Sequence, residues 1–211
     1  MRISRGDSVP GWKGDCLIRW FVWLAAVNVV VALAGCGGGA PKFNGADVTG
    51  ADWGRDFSLQ DPDGRTRTLA DFRGKYVLLF FGFTHCPDVC PTALTRAQEM
   101  KRLLGADGAR VQVIFVTVDP ERDTPQLMRE YTAAFDPSFL GLRADAEGTK
   151  RVAKEFKVFY EKVREGASYT VNHSALTYVF DAQGHLRLAL KHTQTAEEYA
   201  ADLRALMKQS S

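Results

Sequence analysis

This chain is poor in the residues that bind metals and exchange electrons: its 211 residues hold four cysteines and four histidines. It also lacks a surplus of charge. The net charge is only +2, and the excess lies in the first 35 residues, where Arg2, Arg5, Lys13 and Arg19 face only Asp7 and Asp15. The remainder is neutral, which excludes the basic field that nucleic acid requires. There is no internal repeat and no low-complexity run beyond Gly37-Gly38-Gly39, so a repeat array is excluded. No apolar run is long enough to cross a bilayer comfortably: the longest, Trp20 to Ala34, has 15 residues, against the ~20 a spanning helix needs. What remains is an ordinary globular composition, 45% hydrophobic and 25% charged, with length for one domain.

The short apolar run has a purpose of its own. It follows Arg19 and ends in Leu33-Ala34-Gly35-Cys36, the small-residue end of a cleaved export signal. Those four residues resemble the lipobox of bacterial lipoproteins. Residues 1–35 are therefore expected to be a lipoprotein signal peptide, with Cys36 the lipidated residue. An uncleaved membrane anchor is the alternative, and both place the domain outside the cytoplasm. The expectation is an exported, lipid-anchored protein on the periplasmic face of a bacterial membrane. Residues 36–55, small and polar, read as a flexible linker.

Cys16 falls in the signal and Cys36 takes lipid, so Cys86 and Cys90 are the thiols of the exported domain. They follow the apolar strand 76–83. Three residues separate them, where a dithiol oxidoreductase usually has two. Pro91 suits the start of a helix and disfavours helical geometry at Cys90, so the pair is expected to wrap the loop before a helix over 91–104. The helix N-terminus favours thiolates. A helical i, i+4 pair would instead hold its β-carbons about 5–6 Å apart, wider than the ~3.8 Å of a disulfide, while a metal with ~2.3 Å bonds to sulfur spans that gap. Geometry permits a disulfide and leans toward a metal.

The rest of the chain reads as a hairpin over 57–69, a buried strand 111–118, a helix from Pro125 capped by Asp123 or Thr124, and a helix over 145–156. A strand 158–163, an antiparallel pair 175–180 and 185–190, and a closing helix 195–208 follow. The order predicts an α/β, thioredoxin-like fold over 56–208, with an N-terminal β-hairpin extension and an insertion around 120–156.

Two thiolates need a third ligand. His85 adjoins Cys86, which makes joint ligation awkward, and His185 and His192 read as solvated. His173 lies in the expected loop 169–174 before strand 175–180, a segment that packs against the cysteine turn in such a sheet. From the residues alone it is either a hydrogen-bonded histidine or a ligand. Asp119, after the neighbouring strand, either caps its loop or orients His173 from behind.

Three motifs together, Cys86-Pro-Asp-Val-Cys90-Pro91, Val118-Asp119-Pro120-Glu121-Arg122-Asp123-Thr124-Pro125 and Asn172-His173-Ser174, resemble the Sco/SenC family. The resemblance spans about residues 56–207. It implies a copper-binding, membrane-anchored assembly protein for the dinuclear copper centre of cytochrome c oxidase subunit II, with Cys86, Cys90 and His173 as ligands. A lipid in place of a spanning helix is the departure. Soft thiolates select Cu(I), Cu(II) being the other candidate state. A structural zinc site would need a fourth ligand, and none is evident.

The leading expectation is a copper metallochaperone rather than an enzyme, with subunit II or a similar copper acceptor as partner and no nucleic acid. The alternative is a thiol–disulfide oxidoreductase that keeps a partner's copper-ligand cysteines reduced. A peroxidase is excluded, because Phe83-Thr84-His85-Cys86 does not set a threonine at the spacing that chemistry uses.

Overall fold

The computed structural model describes residues 42–209. The signal peptide, Cys16, Cys36 and the first part of the expected linker lie outside them. Among the described residues, no helix is long and apolar enough to cross a membrane.

A six-stranded sheet organises the domain, in the order β1-β10-β9-β4-β5-β6. Its centre is β4 (Tyr76–Gly82), buried at every position. β4 runs parallel to β5 (Val111–Thr117), and β5 parallel to β6 (Leu140–Leu142). On its other side β4 meets β9 (Leu176–Phe180) antiparallel, followed by β10 (Leu186–Lys191) and the edge strand β1 (Ala46–Asp47). A strand covered on both faces must be apolar throughout, and Tyr-Val-Leu-Leu-Phe-Phe-Gly meets that demand. Side chains alternate across it. Phe80 stacks on Phe115 at one face, with ring centroids 6.2 Å apart. Phe81 packs on Phe156 and Tyr178 at the other.

Four helices connect and cover the sheet. α1 (Val89–Leu104) is the crossover from β4 to β5, and it buries Ala93, Leu94, Ala97, Met100 and Leu104 at helical spacing. It ends at Gly105, whose φ of +61° is one a side chain would resist. α2 (Pro125–Ala133) starts on the Thr124 cap, whose hydroxyl accepts the Leu127 N–H. α3 (Ala146–Glu155) starts on Asp145, which accepts the Gly148 N–H at 2.7 Å. α4 (Ala196–Gln209) opens with a reciprocal Thr195–Glu198 box and packs on α1. This is the expected α/β, thioredoxin-like arrangement, with the parallel β4-α1-β5 unit at its centre.

Several boundaries differ from the sequence reading. The part of the expected linker that is described, 42–55, belongs to the domain. β1 pairs with β10, and the buried Asp202 carboxylate accepts the backbone N–H groups of Asn44 and Gly45, both at 2.8 Å. Small polar residues here satisfy a buried acid rather than staying loose. The expected insertion holds β6, which completes the sheet; three residues are too few to show a period. The N-terminal hairpin is short, β2 (Leu59–Gln60) with β3 (Thr66–Arg67). The segment read as a loop before β9 is a strand. β7 (Tyr160–Glu165) and β8 (Ser168–His173) form a separate two-stranded hairpin turning at Gly166-Ala167. The first strand lies close to the expected strand 158–163; the second is largely polar, so burial left no apolar pattern to find there.

Candidate metal centre

β4 ends where the chemistry begins. Beyond Gly82 the chain turns through Phe83-Thr84-His85 to Cys86, and the buried Asp123 holds that turn. Asp123 accepts the Thr84 N–H, the Thr84 hydroxyl at 2.6 Å and the Thr117 hydroxyl at 2.5 Å. Hydrogen bonds to a charged acceptor contribute about 1.5–3 kcal/mol each. The sequence reading gave Asp123 only a place at a helix start; Thr124 takes that place. Two threonines at strand ends opposite a buried acid are the signal that would have revealed it. His85 is half-exposed and lies beside Thr84 and Asp123.

Helix α1 begins at Val89, two residues before the expected start, so Cys90 sits in its first turn. Pro91 then occupies the third helical position. Its missing N–H is among the four that a helix leaves unpaired in any case. Asp88 at the cap makes no side-chain bond to the helix. The Cys86 sulfur takes that role and accepts the Cys90 N–H at 3.4 Å. The two thiols therefore differ sharply. Cys86 is partly exposed and Cys90 fully buried, and both are free. The Cys90 thiol donating to Cys86, aided by the N–H groups of Asp88 and Cys90, brings the Cys86 thiol down to about 3 against partial burial. The same contact, with burial, pushes Cys90 far up. One thiolate and one thiol share the proton of the pair.

Cys90 has no spare room. A methyl group at Gly82 would lie 2.7 Å from its sulfur and 2.7 Å from the Phe115 ring. Glycine lets the helix seat that sulfur directly on the central strand.

His173 arrives at the end of β8. Its Nε2 lies 3.5 Å from the Cys90 sulfur, and its ring stands edge-on to Phe80 and Phe83 at 6.0 and 5.9 Å. Nδ1 is 3.0 Å from the Ser174 carbonyl. A carbonyl only accepts, so the ring proton belongs on Nδ1 and the Nε2 lone pair faces the sulfurs. Ser174 is itself pinned, its N–H to the Phe159 carbonyl and its hydroxyl to the Phe159 N–H.

The expected role of Asp119 behind His173 is corrected. Asp119 is fully buried, but its carboxylate accepts from the Arg122 guanidinium and from the Tyr169 hydroxyl at 2.9 Å. The Ser174 carbonyl orients the imidazole instead. Asp119 acts one step further out, anchoring β8 through Tyr169. Arg122 completes the anchor: it bonds the Tyr169 carbonyl and lies 3.8 Å from that ring's centre.

Among the described residues, Cys86, Cys90 and His173 form the one group of three such donors, all within 4.8 Å of one another. A three-coordinate ion with bonds of ~2.0–2.3 Å sits among donors roughly 3.5–4 Å apart, so the set fits an ion with little rearrangement. His185 and His192 are exposed and stand elsewhere.

Comparison with known proteins agrees with this geometry. The family model for SCO1/SenC matches residues 46–208. The chain belongs to the SCO1/SenC family. Among SCO1/SenC relatives, a mitochondrial "Protein SCO2 homolog" of Bos taurus is 41% identical over 156 residues, which cover 72% of this chain and 59% of the relative. A "SCO2-like protein" of Rickettsia felis is 39% identical over 142 residues, covering 66% and 68%. The chain thus spans roughly three fifths to two thirds of these two relatives. Among solved structures, copper-bound ScoI of Bradyrhizobium japonicum shares 41% identity at a TM-score of 0.65, over 72% of this chain and 97% of that one. Apo Sco1 of Thermus thermophilus shares 42% at a TM-score of 0.71, over 80% and 99%.

Proposed function

We propose that this chain is a copper metallochaperone of cytochrome c oxidase assembly. Cys86, Cys90 and His173 bind copper, and the acceptor is the dinuclear copper site of oxidase subunit II. The observation that carries the reading is the preformed two-sulfur, one-nitrogen set with the imidazole lone pair turned inward. Soft donors in a three-coordinate site suit Cu(I), and relatives of 30% identity or more have been solved with copper bound. A lipid on Cys36 would tether the domain to the periplasmic face of a bacterial membrane.

Competition with a Cu(I) chelator tests the ligand set. The His173→Ala variant should bind Cu(I) about a hundredfold or more weakly, ~3 kcal/mol, with both thiols still titratable. Unchanged affinity would refute the assignment. Transfer of Cu(I) from the loaded domain to a soluble subunit II fragment tests delivery, and labelling with radioactive palmitate tests Cys36.

A second reading has one observation in its favour. A Cys86 thiolate beside a Cys90 thiol is the pairing that reduces a disulfide: Cys86 attacks, Cys90 resolves, and two electrons and the one Cys90 proton pass to the partner, whose second thiolate takes its proton from water. A Cys86/Cys90 potential well above that of the partner's disulfide would exclude it.

A further inference from the structure

Among the described residues, β7 and β8 pair only with each other, so both outer edges of the hairpin are open, and that of β8 borders the thiols. Its register places Tyr160 opposite His173, Lys162 opposite Val171 and Arg164 opposite Tyr169. Just beyond the hairpin, Ser174 donates to the Phe159 carbonyl, so Phe159 and Ser174 form a bonded pair. Bonded and non-bonded pairs alternate in an antiparallel ladder. His173, Val171 and Tyr169 are therefore the non-bonded positions, whose N–H and C=O groups point away from β7. The Tyr169 carbonyl bears this out, since it accepts from Arg122 on the far side. Arg122 also lies over Phe83, 5.7 Å from the ring centre. The open edge of β8 thus faces the cysteine turn.

Between them runs a groove of about 240 Å³, lined on one side by Phe83, Cys86 and Val89 and on the other by β8 from Thr170 to His173. The backbone groups of Val171 and His173 on this edge have no partner in the described residues. Two unpaired residues, spaced two apart along an edge strand, form a template for an added strand. Phe159, the one exposed large hydrophobic side chain among the described residues, stands at the foot of the same hairpin.

Resting on the copper reading above, we propose that the acceptor is recognised through its backbone: an extended, cysteine-bearing segment adds to β8 as a third strand. Its cysteine then faces Cys86. Cys90 is fully buried, so Cys86 is the sulfur an incoming thiolate displaces. A copper–sulfur bond to the incoming cysteine forms as the bond to Cys86 breaks. The proton lost by the incoming thiol is regained by the released pair, and the copper keeps its oxidation state. Backbone pairing supplies affinity without demanding a particular sequence, and the thiol supplies selection.

The test avoids copper, so its outcome is separate from that of the metal reading. In the full chain carrying Cys16→Ser, Cys36→Ser and Cys90→Ser, Cys86 is joined by thiol exchange to the heptapeptide Thr-Val-Thr-Cys-Thr-Val-Thr, activated as its thionitrobenzoate disulfide. Amide hydrogen exchange is then followed by NMR. The Val171 and His173 amides should gain about tenfold or more protection over the chain joined to cysteine alone. N-methylation of alternate peptide amides should abolish the gain in one register and spare it in the other. Equal exchange with peptide and with cysteine, or equal effects of both registers, would overturn the proposal. Copper binding by the unmodified chain is measured independently, and its absence would defeat the metal reading alone.

Discussion

The thiols and the imidazole come from two regions built on different principles. Cys90 is held by the apolar core: it is fully buried, seated on Gly82 and Phe115 at the end of a strand with no exposed residue. His173 is held by a polar hairpin, fixed by a few named bonds: Tyr169 to Asp119, Arg122 to the Tyr169 carbonyl, and Ser174 to Phe159. Core packing resists displacement through many contacts at once, whereas hydrogen bonds of ~1 kcal/mol can be lost one at a time. A ligand set shared between such regions has a fixed part and a part that moves at small cost. That division suits an ion that must be held and then released.

The comparison can be broken at either end. The largest effect is expected at Cys90, where Cys90→Ala should remove high-affinity Cu(I) binding altogether in a chelator competition, with the domain still folded by circular dichroism. Gly82→Ala comes next. Its methyl must displace either the Cys90 sulfur or the Phe115 ring, at about 1–3 kcal/mol. The melting temperature should fall by about 2–4 °C per kcal/mol, and copper affinity should fall with it. A smaller effect is expected at the hairpin. Tyr169→Phe deletes one bond to a buried carboxylate, about 1.5–3 kcal/mol. It should weaken Cu(I) binding by less than about tenfold while leaving the alkylation rate of Cys86 unchanged, a split that core variants would not produce.

The smallest effect concerns acid. The hydrogen bond from Cys90 lowers the Cys86 thiol to about 3, which favours the thiolate at pH 5 as well as at pH 8. Iodoacetamide should therefore alkylate Cys86 in the metal-free domain at nearly the same rate at pH 8 and pH 5. In the urea-unfolded chain the ordinary thiol pKa of ~8.5 returns, and the rate should drop about tenfold per pH unit. A folded domain that loses reactivity as steeply as the unfolded one would show that Cys86 lacks this stabilisation.

What the sequence made legible follows the same division. The core strand 76–82 is a continuous apolar run and 111–117 is one but for Gln112 and Thr117, and the helices carry caps and periods that can be read directly. Cys86, Cys90 and His173, which the fold brings together, were singled out through three spaced motifs. The hairpin was legible only in part: the strand read over 158–163 lies close to β7, but β8 was taken for a loop, because it is mostly polar and its pairing rests on register rather than burial. The supporting shell was also misread. Asp119 and Asp123 sit in one short motif, and only the fold shows that the first anchors Tyr169 and the second the Thr84 turn. The helix start was displaced for a similar reason. Pro91 argues against a helix at Cys90 on local grounds, but the first turn tolerates proline and the Cys86 sulfur stands in for a cap.

The burial of Cys90 bears on traffic. With one sulfur sealed against the central strand, the centre opens only along the side shared by Cys86 and His173. On the proposed delivery role, what loads the ion and what unloads it would use the same doorway and take turns at it. Such a relay would run by alternating visits, in which an excess of either partner obstructs the other.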